Sequence, residues 1–165
     1  MRKSDVQNKK SILGIIIAIG IALAVGGLSS FLTRNTMEIY QQLKQPAFAP
    51  PGWVFPIVWT VLFVLMGIAS YRVYLKGIEK TEVQNALMLY GLQLTANFFW
   101  TIIFFRWGLR GFAFIWLIFL WILIILTTMK FYKLDKVAAY LMVPYILWVS
   151  FAGLLNYSIW QLNRP

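Results

Sequence analysis

The stretch PAFAPPGWVFPIVW, Pro46 to Trp59, runs a proline-rich segment straight into a long apolar run. Proline lacks a backbone donor and fixes φ, so Pro46, Pro50 and Pro51 keep this segment out of a helix. Each residue before a proline is pushed towards extended geometry as well. A helix can begin near Gly52 or Trp53, with Pro51 tolerated at the entry. The pattern is that of a stiff aromatic loop at the mouth of a membrane helix, a fit lid for a ligand pocket.

The rest of the chain supports a membrane setting. Its 165 residues are 61% hydrophobic and 12% charged, with a mean hydropathy of +0.73. An ordinary soluble domain is about 45–50% apolar and about 25% charged. Five apolar runs are long enough to span a bilayer, at about 12–31, 54–74, 83–105, 111–129 and 137–160. The expected fold is an all-α integral membrane protein, a five-helix bundle forming a single membrane domain over 1–165. A long ordered loop is expected at 32–52, and Lys130, Lys133, Asp135 and Lys136 form the last connection.

The net charge of +10 would suggest nucleic acid in a soluble protein. Here the cations lie between apolar runs, so they set orientation and no nucleic-acid partner is expected. Arg2, Lys3, Lys9, Lys10, Arg72, Lys76, Lys80, Lys130, Lys133 and Lys136 fall on one side. Arg34, Lys44, Arg106, Arg110 and Arg164 fall on the other. The positive-inside rule then puts the N-terminus in the cytoplasm, with the 32–52 loop and the C-terminus outside. The lysine-rich tail favours a bacterial cell membrane. A cleaved secretory signal is disfavoured, because the first run exceeds the usual apolar core of such signals.

Cysteine and histidine are both absent, which removes disulfides, thiol nucleophiles and imidazole chemistry. No metal site is expected. The span centres hold no Asp, Glu, Lys or Arg. Such charges usually mark ion pathways and coupled transport. What remains is amide and indole chemistry. Gln93, Asn97, Trp100 and Phe104 share one face of the third span. Pro144, Trp148, Ala152 and Asn156 form a stripe on the fifth. Trp59 is a third inward candidate. Gln93 and Asn97 could equally serve as interhelical hydrogen-bonding groups, and Ala152 could give room to a helix or to a flat ligand. Gly14, Ala18, Ala22 and Gly26 recur every four residues on the first span, for a dimer contact or for packing within the chain. Tyr71, Tyr74, Trp107, Tyr132 and Trp160 near span ends read as interface anchors.

The chain resembles the tryptophan-rich sensory protein family, also called translocator protein or peripheral-type benzodiazepine receptor. The first loop carries Tyr40, Leu43, Pro46, Pro50, Pro51, Trp53, Phe55 and Trp59; the third span carries Gln93, Asn97 and Trp100. The fifth reads PYILWVSFAGLLNYSIWQLN from Pro144 to Asn163. Ile39 and Phe48 stand where the family usually has tryptophan, removing two indoles from the lid.

The resemblance implies a homodimeric membrane receptor that binds porphyrins, such as protoporphyrin IX and haem-like tetrapyrroles, and isoquinoline or benzodiazepine-type drugs. A stress-sensing or tetrapyrrole-regulating role goes with it. By position Tyr40, Trp59, Asn97, Trp100, Trp148 and Ala152 match the family pocket, and Pro50 and Pro51 its lid; Gln93 joins them as a ligand-facing amide. Porphyrin is then a ligand, with no required cofactor, and membrane lipid is the other partner. Two alternatives follow: a light-dependent porphyrin-degrading enzyme with Trp59 or Trp148 as the redox-active group, and a porphyrin transporter. No acid–base or nucleophile constellation supports ordinary catalysis.

Overall fold

The computed structural model describes residues 3–34 and 37–164; the side chains of residues 3–10, Met37 and Ile39 fall outside the described residues. The expectation attached to Ile39, and the charges of the N-terminal tail, therefore lie outside them too. Helices are α1 (Lys3–Leu32), α2 (Met37–Gln42), α3 (Val54–Tyr74), α4 (Thr81–Thr101), α5 (Arg110–Leu134) and α6 (Lys136–Leu162). A π-helical turn, Ile102–Arg106, extends α4. Five helices are long and apolar enough to cross a membrane: Ser11–Leu32, Val54–Tyr74, Thr81–Arg106, Arg110–Leu134 and Lys136–Leu162. The short α2 lies within the expected loop.

The helices neighbour one another in a ring, α1 against α3, α3 against α6, α6 against α5, α5 against α4 and α4 against α1. The α1–α3 seam rests on small residues. A Cβ on Gly67 would lie 2.5 Å from the Ile19 Cα, so the two backbones nearly touch there. A Cβ on Gly14 would meet the Tyr71 ring, and one on Gly26 the Phe63 ring. Ala22 between them is fully buried. The stripe on the first span is thus used inside the chain, as close backbone approach in a bilayer requires. Tyr71, expected as an interface anchor, is instead buried in this seam. Tyr74, Trp107 and Tyr132 are exposed.

The fourth span differs from its expected end. α5 continues through Lys130 and Lys133 to Leu134, and Asp135 alone links it to α6. Asp135 is extended, at φ −153° and ψ 110°, and its Oδ1 accepts the Ala138 N–H at 2.9 Å. That satisfies one of the orphan donors at the start of α6. The same carboxylate receives Arg72 from the last turn of α3 and Lys76 from just beyond it, each at 3.1 Å. One side chain therefore caps α6 and ties it to α3. α6 itself runs unbroken through Pro144.

The other end of the bundle is closed by the proline-rich segment. Leu43 and Ala49 pack against the core, and Ala49 N–H donates to the Pro46 carbonyl at 2.9 Å. Asn163 holds this segment at two points: its Oδ1 accepts Lys44 N–H at 3.0 Å and its Nδ2 donates to the Lys44 carbonyl at 2.9 Å. Phe48 is exposed, with its ring 6.2 Å from that of Phe151 on α6.

Candidate functional site

The polar groups of α4 and α6 meet in the middle of the ring. Tyr145 donates its hydroxyl to Gln93 Oε1 at 2.9 Å and accepts from Asn97 Nδ2 at 2.8 Å. Gln93 Nε2 points at the Met66 sulfur, 3.8 Å away. Trp100 Nε1 donates to Asn156 Oδ1 at 3.3 Å, and Asn156 Nδ2 to the Arg110 carbonyl at 2.9 Å. All of these side chains are buried except that of Arg110, which is half-buried. An unpaired amide in hydrocarbon costs several kcal/mol, on the order of 2–7, so this seam orders α3, α4 and α6 about one centre. The inward faces expected for the third span are present. On the fifth span Ala152 and Asn156 are buried, whereas Pro144 is exposed and Trp148 half-buried.

A cavity of about 420 Å³ lies beside this seam, between α1, α3 and α4. Its aromatic wall is Phe55, Trp59, Phe63, Trp100 and Phe105. Trp59 packs at 5.7 Å against Phe63, 6.3 Å against Trp100 and 6.1 Å against Tyr145. The π turn shapes one side. Trp107 N–H reaches the Ile102 carbonyl at 3.0 Å, an i to i−5 bond that widens the turn; such turns recur at functional sites. Phe104 stays in the core while its neighbour Phe105 faces the cavity. The facing wall is the end of α1, with Gly26, Gly27, Ser29, Ser30, Thr33 and Arg34. Thr60 and Thr101 complete a set of hydroxyls.

Of the residues singled out from the sequence, Trp59, Asn97 and Trp100 line this cavity. Gln93 lies behind it in the hydrogen-bonded seam. Tyr40 sits on α2 above it: its ring is 5.5 Å from Phe55 and 6.0 Å from Phe105, it is 3% exposed, and its hydroxyl has no partner. Burial raises that phenol above its ordinary value. Trp148 is on the far side of Phe55, ring to ring at 5.8 Å. It belongs to a shallower groove of about 450 Å³ between α3 and α6, whose other walls include Ile57, Val61, Pro144, Leu147 and Phe151. Pro50, Pro51 and Ala152 line neither concavity. Of the α1 wall, the hydroxyls of Ser29, Ser30 and Thr33 were not singled out from the sequence. The signal was present in GGLSSFLTR, Gly26 to Arg34, where hydroxyls and a cation close an otherwise apolar run.

This architecture defines a class: a small, all-helical, multi-pass membrane protein with an aromatic-walled cavity at one end of the bundle. The TspO/MBR family pattern matches residues 18–161, and the chain belongs to that family. It is 41% identical over 155 residues to the tryptophan-rich protein TspO of Chlorobaculum tepidum, covering 93% of this chain and 98% of that protein. It is 37% identical over 126 residues to protein CrtK of Rhodobacter capsulatus, covering 75% and 78%. The translocator protein of Bos taurus is 35% identical over 153 residues, covering 89% and 90%.

Proposed function

We propose that this protein is a membrane receptor for a flat hydrophobic ligand of the tetrapyrrole class, held in the α1–α3–α4 cavity. Drug-like isoquinolines and benzodiazepines would share the site. The observation that carries the reading is the aromatic wall of Phe55, Trp59, Phe63, Trp100 and Phe105, which faces the hydroxyls at the end of α1. Its volume of about 420 Å³ falls within the roughly 300–1,000 Å³ of small-molecule sites. Indole stacking supplies affinity without charge. A sensory or tetrapyrrole-regulating role follows from the family, in which a relative from Cereibacter sphaeroides is named a tryptophan-rich sensory protein.

We place the chain in a bacterial cell membrane with the α2 end outside, on the lysine and arginine bias of its connections. A homodimer would use a face other than the α1 stripe, which α3 already covers.

Titration of purified protein with protoporphyrin IX, followed by tryptophan fluorescence, tests the reading. Trp59→Ala is expected to weaken binding about tenfold, the value of one lost aromatic stacking contact of about 1.4 kcal/mol. Trp148→Ala, on the other side of Phe55, is expected to change affinity less than Trp59→Ala. Unchanged affinity in a folded Trp59→Ala, Trp100→Ala double variant would sink the cavity assignment.

A further inference from the structure

The cavity wall divides its polar groups unevenly. Ser29 donates its hydroxyl to the Gly26 carbonyl at 2.9 Å, Thr60 to Pro56 at 2.7 Å and Thr101 to Asn97 at 3.3 Å. Thr33 donates to the Ser29 carbonyl at 2.8 Å. Asn97 Nδ2 gives one of its two hydrogens to Tyr145, and Trp100 Nε1 gives its one to Asn156. The hydroxyls of Ser29, Thr60 and Thr101 have turned their hydrogens into their own helices, so they offer a ligand no donor. A carboxylate is an acceptor only and gains nothing from those hydroxyls.

Arg34 is different. It closes α1 at the α2 end of the cavity and is, among the described wall residues, the one cation. Its guanidinium lies 4.6 Å over the Phe31 ring, a contact that fixes its position and leaves its charge. The ion pairs of the described residues are those of Asp135 at the opposite end. Lys44, the other cation of this connection, is outside the wall, and its backbone is held by Asn163.

We propose that the cavity selects amphipathic carboxylates, and that Arg34 is the specificity-determining residue that receives the anionic end. This rests on the ligand reading above and deepens it. The ligand lies with its apolar body against Trp59 and Phe63 and its acid at the α2 end. A guanidinium fits a carboxylate with paired, charge-assisted hydrogen bonds. A lipid phosphate offers the same acceptor chemistry, so the medium must separate the two sources.

Protoporphyrin IX and its dimethyl ester, which differ only in charge at the propionates, are titrated in a neutral maltoside detergent and again in nanodiscs containing phosphatidylglycerol. The free acid is expected to bind about fivefold tighter than the ester, the scale of one partly exposed ion pair. Arg34→Gln is expected to abolish that preference, with its melting temperature in detergent showing that the variant is folded. Arg34→Lys is expected to keep part of the preference, and Lys44→Gln all of it. Equal loss in Lys44→Gln, or a preference that survives Arg34→Gln, would overturn the assignment and leave the cavity reading intact. A preference lost in the anionic nanodiscs would assign Arg34 to lipid phosphate and overturn it too. If neither porphyrin binds the unaltered protein, the receptor reading fails and this inference with it.

Discussion

The two sides of the bundle are held by different physics. Where α4 and α6 meet, directional bonds fill the interior: Gln93, Tyr145 and Asn97 form one chain, and Trp100 and Asn156 another. Where α1 meets α3, shape alone closes the seam, through Gly14, Gly26 and Gly67. A hydrogen-bonded seam leaves no room, because each polar group in hydrocarbon must reach a partner. A small-residue seam demands nothing beyond close approach, so it can part around a void. The cavity lies on the α1 side for that reason, with Gly26 and Gly27 in its wall.

The strongest way to break this contrast is to force α1 away. Gly67→Leu places a branched side chain against the Ile19 backbone, which cannot yield as a side-chain tip would. Overpacking of this kind costs about 1–3 kcal/mol. The melting temperature in detergent should fall, and porphyrin affinity should fall by more than tenfold as the α1 wall moves out, about 1.4 kcal/mol or more. Retained affinity would show that α1 is not part of the site. Gly67→Ala should show a smaller loss in the same direction.

Tyr145→Phe tests the other side. It strips partners from Gln93 Oε1 and Asn97 Nδ2 and leaves the volume almost unchanged. About 1–2 kcal/mol of stability should be lost, the cost of unsatisfied buried groups. Ligand affinity should stay within about twofold, since an effect on a seam beside the cavity stays below about 0.4 kcal/mol at the site. A large loss of affinity with unchanged melting would reverse the roles assigned to the two sides.

What could be read from the sequence divides along the same line. Helix existence was legible, because runs of about 20 apolar residues have few other solutions. The inward faces of Gln93, Asn97, Trp100 and Asn156 were legible from helical spacing. Their partners were not. A four-residue period says which residues share a face and nothing of which helix faces them, so Tyr145, between the two recognised stripes, went unremarked. The split between Trp59 and Trp148 was hidden for the same reason: both are aromatic and partly inward, and only the interposed Phe55 separates them. The π turn is a backbone choice with no proline or glycine in Ile102–Arg106 to announce it. The end of α5 was misplaced because Lys130 and Lys133 look like a connection, although long cationic stems extend readily from a helix end to the interface.

The smallest expected effect belongs to Asp135, on the packed side and at the end away from the cavity. Burial alone would raise its carboxyl. The Ala138 N–H and the Arg72 and Lys76 cations outweigh that and hold it at about 2, below its ordinary 3.8. A carboxylate lowered in the folded state stabilises the fold fully above its unfolded value, and the contribution disappears as pH falls through the folded value. Melting in detergent should therefore be flat for this group above about pH 5 and decline between about pH 4 and pH 2. Asp135→Asn should remove that part of the decline and cost about 1 kcal/mol at neutral pH, because both cations are partly solvated and the pairs are correspondingly weak. The α6 cap survives in part, since an asparagine oxygen can still accept the Ala138 N–H. Porphyrin affinity at neutral pH should not change. A loss of affinity in Asp135→Asn without a loss of stability would mean that the two ends of α3 are coupled, and that the packed side does more than hold the bundle shut.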